Sequence, residues 1–103
     1  MKPAQFRQGD ILLVLVKALP ADARELGRCS SAVLKQSPLT GHAHRLCGDE
    51  LLVLAAGEDR FVQSSCAATL IHEEHAPISV PPGTYQVVQQ REYWPQGGRH
   101  VVD

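Results

Sequence analysis

The apolar side chains of this sequence come in short branched-aliphatic runs, each closed by a turn signal, and that pattern constrains the fold more than any other feature. Gly9-Asp10 precedes Ile11-Leu12-Leu13-Val14-Leu15-Val16, whose length suits a strand buried on both faces and therefore a central one. Leu51-Leu52-Val53-Leu54-Ala55 is a second buried run, stopped by Gly57-Glu58-Asp59, and Arg60-Phe61-Val62-Gln63-Ser64 follows at hairpin distance. Further strands are expected at residues 32–36, ended by Ser37-Pro38, at residues 68–72, and at residues 77–81. There Pro81 and Pro82 exclude a central position. Residues 85–94 are the longest candidate, closed by Pro95 and Gly97-Gly98. Between Pro20 and Gly27, residues 21–26 form either one or two helical turns or a loop, because a helix this short is marginal without packing. The expected fold is all-β: a barrel or sandwich of seven or eight short strands with at most one short helix, forming a single domain over residues 1–103.

A chain of 103 residues buries roughly 60–70% of its unfolded surface, enough for one core. Its 8 Gly and 7 Pro are scattered as punctuation and form no linker. With 10 basic against 11 acidic side chains it lacks the electrostatic footprint of a general nucleic-acid binder. The longest apolar stretch, residues 11–16, falls far short of the roughly 20 residues of a membrane-spanning helix. The N-terminal ten residues show neither the apolar core nor the cleavage site of a signal peptide. Cys29, Cys47 and Cys66 are odd in number with no C-x-x-C pair, which suits a reducing compartment. The expected location is the cytoplasm.

Of five His, four lie in two short clusters. In Thr40-Gly41-His42-Ala43-His44 the two His share one face of an extended segment, the arrangement by which a single metal receives both imidazoles. The small Gly41 and Ala43 permit close approach. In Leu70-Ile71-His72-Glu73-Glu74-His75-Ala76-Pro77, a strand ending in a turn at Glu73-Glu74 fits best. On a regular strand His72 and His75 would face opposite sides, and Ala76 before Pro77 is biased against helix. Neither cluster completes the H-E-x-x-H motif or a histidine triad. The most economical site combines His42, His44, His72 or His75, and a carboxylate, Glu73 or Glu74, as fourth ligand or acid/base. Such a set takes a divalent transition metal, Zn, Fe, Mn or Ni. The alternative is a metal-free polar network that pins two loops. Cys47 and Cys66 are either soft ligands or inert thiols; Cys29 has no partner in view.

Residues 85–94 carry Tyr85, Gln89, Arg91 and Tyr93, side chains that line a pocket or anchor a partner. A solvated edge strand with Tyr93 and Trp94 folded over the core is the other reading.

Gln8-Gly9-Asp10-Ile11-Leu12-Leu13-Val14, Thr40-Gly41-His42-Ala43-His44, the stretch from Leu70 to Ile78, Pro82-Gly83-Thr84-Tyr85 and Gln90-Arg91-Glu92-Tyr93 together resemble an uncharacterised family of small bacterial and phage-borne proteins. The resemblance covers nearly the whole chain and implies a setting, not an activity. His42-Ala43-His44, Glu50, Gly57 and Pro82-Gly83 more weakly resemble the cupins, metal-binding barrels. The sequence departs from that pattern in the five residues between His44 and Glu50 and in Gln86, which stands where the later His would fall. On a cupin-like plan His72 or His75 replaces that ligand.

Two functions compete. One is a metal-binding β-domain, with metal-assisted chemistry on a small molecule if it is an enzyme. The other is a non-catalytic module whose His/Glu loops and last strand dock onto a protein partner or a like subunit.

Overall fold

In a computed structural model that describes residues 4–89, the chain forms eight β-strands and, among those residues, no helix. They are β1 (Gln5–Gln8), β2 (Ile11–Leu15), β3 (Arg24–Gln36), β4 (Ala43–Ala56), β5 (Asp59–Ser64), β6 (Ala68–His72), β7 (His75–Val80) and β8 (Gly83–Gln89). All pairings are antiparallel, in the order β1-β2-β8-β5-β4-β6-β7, with β3 beside β4 off this path. The two ends of the path, β1 and β7, lie against each other without ladder pairing, so the sheet curls into a nearly closed barrel.

The curl is built on β4. One of its edges pairs with β3, from Ala43↔Gln36 to Ala55↔Arg24. The other takes β6 at Arg45–Cys47 and β5 at Leu51–Ala56. Between those ladders, four steps along β4, from Leu51 back to Cys47, are matched by five along the partner, from Ser64 to Thr69. Thus β5 and β6 act as one interrupted strand with an extra residue at a corner, the local geometry that bends a sheet. A Cβ on Gly48 would lie 3.2 Å from Leu51 Cδ2 and 3.3 Å from Ala68 Cβ, so glycine lets β4 turn this corner closely. From the corner one wing runs through β5, β8, β2 and β1, the other through β6 and β7, and they meet at the β1–β7 seam.

The barrel interior is filled by Ile11, Leu13, Leu46, Leu51 and Leu70, each 1% exposed or less, together with Val62, Val80 and Tyr85. On the outer face of the β4–β5 hairpin Leu52, Leu54, Ala56 and Phe61 form a second cluster, covered by Val16, Leu19 and Ala23. Burial on both faces explains why residues 51–55 are apolar without alternation.

The strand count agrees with the sequence reading, but several boundaries do not. Residues 21–26 are not helical: a turn at Ala21-Asp22 leads into β3, where Arg24 and Glu25 pair with Ala55 and Leu54. Cross-strand pairing outweighs the helix propensity of so short a segment. Residues 32–36 are only the end of β3, whose exposed polar first half reads as loop. β4 likewise continues through Gly48-Asp49-Glu50. Among the described residues the longest strands are β3 and β4; of the 85–94 candidate, residues 85–89 lie in β8 and residues 90–94 lie outside the described residues. β1 has too little apolar content to be read from sequence. No helix of the described residues is long and apolar enough to cross a membrane.

Leu46 sits at the inner face of the corner strand with 1% exposure. Leu46→Ala is expected to lower the unfolding free energy by about 2–5 kcal/mol in urea denaturation, the range for a fully buried leucine.

Candidate metal centre

Three tight connections carry the site. Gln8 pairs with Ile11 across the two-residue turn Gly9-Asp10. Gly9 has φ +60° and, among the described residues, no non-glycine residue has positive φ, so the turn is of the type II′ kind that matches strand twist. A Cβ on Gly9 would stand 2.9 Å from His75 Nε2 and 3.2 Å from His44 Cε1. Glycine thus serves both the turn and the close approach of backbone to imidazole.

His72 pairs with His75 across Glu73-Glu74, as the sequence led one to expect. That turn has no positive φ and lacks the twist of the favoured hairpin turns. Side chains brace it instead. Glu74 N–H donates to His72 Nδ1 at 3.0 Å, and Ala43 N–H donates to Glu73 Oε1 at 2.9 Å. The Ala43 amide, helped by the Glu73 backbone amide, His42 and Arg45, holds the Glu73 carboxyl below the ordinary carboxylate range. The contribution of Glu73 to stability is therefore present at neutral pH and lost as acid protonates it.

The third element is the start of β4. His44 is 1% exposed and projects to where the two turns converge. Ring nitrogens of His44, His72 and His75 all lie within 4.8 Å of one another. The His44 ring centroid is 4.3 Å from that of His72 and 5.7 Å from that of His75, and His72 and His75 are 4.7 Å apart. His42 meets His72 edge-on at 5.7 Å, with its Nδ1 3.5 Å from Glu74 Oε1. The two clusters of the sequence thus form one group of rings, with His42 at its partly exposed side.

Gln8, 3% exposed, orients the group. Its Nε2 donates to the carbonyls of Leu70 and Ala76, both at 3.0 Å, which fixes the amide so that Oε1 faces His44 Nδ1, also at 3.0 Å. In neutral His44 the proton is then on Nδ1 and the lone pair on Nε2, the tautomer of a metal ligand with an outer hydrogen bond. Asp10 lies next to it: its Oδ1 is 3.4 Å from His44 Nε2, and its Oδ2 is paired with Lys35. Sequence reasoning missed Gln8 and Asp10. Their only signal was a Gly-Asp turn before a buried strand, which reads as punctuation.

Other sequence candidates lie elsewhere. Tyr85 is not on a partner or pocket surface: it is 2% exposed, packs edge-on against Phe6 at 5.8 Å and donates to the Pro81 carbonyl at 2.7 Å. Its place in β8 turns it into the barrel, and burial pushes its hydroxyl pKa up. Gln89 is exposed at the end of β8, and Arg91 and Tyr93 lie outside the described residues. Glu50, the glutamate of the cupin likeness, is exposed and paired with Arg28 at 3.1 Å. Cys47 contacts Ser31, Cys66 is exposed, and no cysteine joins the histidine group among the described residues.

Fold and site define a small, nearly closed all-β barrel with a buried histidine cluster beside its seam. Residues 7–90 match the family described as Domain of unknown function (DUF8820), and the chain belongs to it. That span contains every residue of the cluster. No curated protein and no solved structure matches the chain.

Two outcomes follow from the bracing. Gln8→Leu strands two carbonyls and the His44 N–H, and should cost about 3 kcal/mol in urea denaturation. Glu73→Gln should flatten the fall in stability that wild type shows on acidification, read as melting temperature against pH.

Proposed function

We propose that this domain binds one divalent transition metal ion through His44, His72 and His75. The observation that carries the reading is the convergence of three imidazoles, from β4 and the β6–β7 turn, with donor atoms within 4.8 Å. A tetrahedral ion with metal–nitrogen bonds of about 2.05 Å requires donors about 3.4 Å apart, so binding draws the rings inward by about an ångström. His72 joins through Nε2, or through Nδ1 in exchange for the Glu74 amide. Zn, Fe, Mn and Ni all accept imidazole, and the three rings do not choose among them. Of the glutamates, Glu73 is committed to the Ala43 amide, whereas Glu74 stands beside His42 at the exposed side of the group.

The competing reading is an interaction module in which the same residues form a metal-free network. The hydrogen bonds of Gln8, Glu73 and Glu74 favour it, since they hold the rings in place. Against it, Asp10 Oδ1, His42 Nδ1 and His72 Nε2 are buried side-chain atoms with no hydrogen-bond partner among the described residues, and all three belong to this cluster. A network satisfied in part is poor compensation for burying polar groups.

Elemental analysis of untagged protein should find close to one metal per chain. His44→Ala and His75→Ala should lose it while circular dichroism stays that of a β-protein. Wild-type protein that remains metal-free after dialysis against zinc, or keeps its metal in both variants, would overturn the proposal.

A further inference from the structure

The structure assigns Asp10 as the fourth ligand of this site, so that one ion held by Asp10, His44, His72 and His75 clips the β1–β7 seam of the barrel. The inference rests on the metal-binding reading above and adds the carboxylate and the structural role.

Asp10 Oδ1 is buried without a hydrogen-bond partner among the described residues and lies 3.4 Å from His44 Nε2. With the His44 proton held on Nδ1 by Gln8, a carboxylate oxygen faces a nitrogen lone pair. Two acceptors at that distance are stable around a shared cation. That one spacing is that of neighbouring donors on a tetrahedral zinc, about 3.3–3.4 Å for bonds of 2.0–2.1 Å; Asp10 stands outside the 4.8 Å group of the three imidazoles, so the Gly9-Asp10 turn must draw in toward His72 and His75 when the ion binds. The other carboxylate oxygen is paired with Lys35, which orients Asp10 and presents Oδ1 alone, as outer partners of metal-bound carboxylates do. Gly9 lets the turn carrying Asp10 lie directly on the rings, since a Cβ there would meet His75 Nε2 at 2.9 Å. Glu73 is engaged by the Ala43 amide, and Glu74 is more than half exposed beside His42, so neither glutamate has this placement.

The topology gives the ion its role. Asp10 lies in the turn between β1 and β2, and His72 and His75 flank the turn between β6 and β7. β1 and β7 are the two ends of the sheet path, in contact but not paired. A four-ligand site closed by protein groups is the structural kind, and here it joins the two wings where no ladder does.

The test uses the full chain, stripped with EDTA and titrated with Zn(II) and Co(II). Wild type should show the intense visible bands of four-coordinate Co(II), a zinc-dependent rise in melting temperature, and slower amide exchange in β1 and β7. Asp10→Asn should weaken zinc binding at least tenfold and change the cobalt spectrum, with Glu50→Gln, an exposed carboxylate paired with Arg28 outside the histidine group, unchanged in both. In wild type itself the Asp10 carboxyl ¹³C resonance should shift on zinc addition and those of Glu73 and Glu74 should not, a readout independent of how the variant folds. If zinc binds and neither the Asp10 resonance nor the Asp10→Asn affinity moves, Asp10 is not a ligand and the three-histidine reading stands. If zinc binds without slowing exchange in β1 and β7, the clip is wrong. If wild type binds neither metal, both proposals fall.

Discussion

The Gln8 side chain crosses the junction of the barrel that no strand ladder closes. Its two amide protons reach the carbonyls of Leu70 and Ala76, on either side of the β6–β7 turn, and its oxygen takes the His44 ring proton. One buried amide therefore ties the wings together, sets the distance between the two turns and selects the tautomer of the most buried histidine. These are separable requirements met by one group. An aliphatic residue of the same size would fill the volume and satisfy none of them.

The site also occupies the barrel's least self-sufficient turn. At Gly9 and Gly57 the chain reverses with positive φ, the geometry whose twist suits a hairpin. Glu73-Glu74 has no such residue, and the strands it joins show a register irregularity between Leu70 and His72. What holds this turn is chemistry from its flanks: the His72 ring accepts the Glu74 amide, and Glu73 accepts the Ala43 amide at the start of β4. Side chains of the candidate site here are also structural ones, so the histidines are positioned by the same bonds that make the turn possible.

Much of the fold was legible because burial on both faces writes continuous apolar runs, as in residues 11–13 and 51–55, and because Gly57-Glu58 punctuates a hairpin. The first half of β3 was not, since an edge strand with solvent on its outer side carries Arg, Glu and Ser and reads as loop. Tyr85 was misplaced because β8 mixes polar and apolar residues on both faces, which hides that this position turns inward. The histidines announced themselves by spacing, and the Glu73-Glu74 turn followed from strand alternation. Gln8 and Asp10 did not, because their role depends on β1 and β7 meeting, a contact over more than 60 residues that no local pattern encodes.

Charge gives the arrangement a further logic. On the proposed reading a divalent ion would add two positive charges to a poorly hydrated place, and Lys35 stands close by on Asp10. Asp10 alone does not balance that sum. Glu73 and Glu74 carry two more negative charges in the turn between His72 and His75, where Glu73 faces Arg45, Glu74 faces His42, and both remain partly exposed to water. On the proposed reading, acidic residues matter to a metal site without touching the metal. The spacing H-E-E-H then runs together two jobs: the flanking imidazoles would donate lone pairs to the ion, while Glu73 accepts the Ala43 amide and Glu74 faces His42.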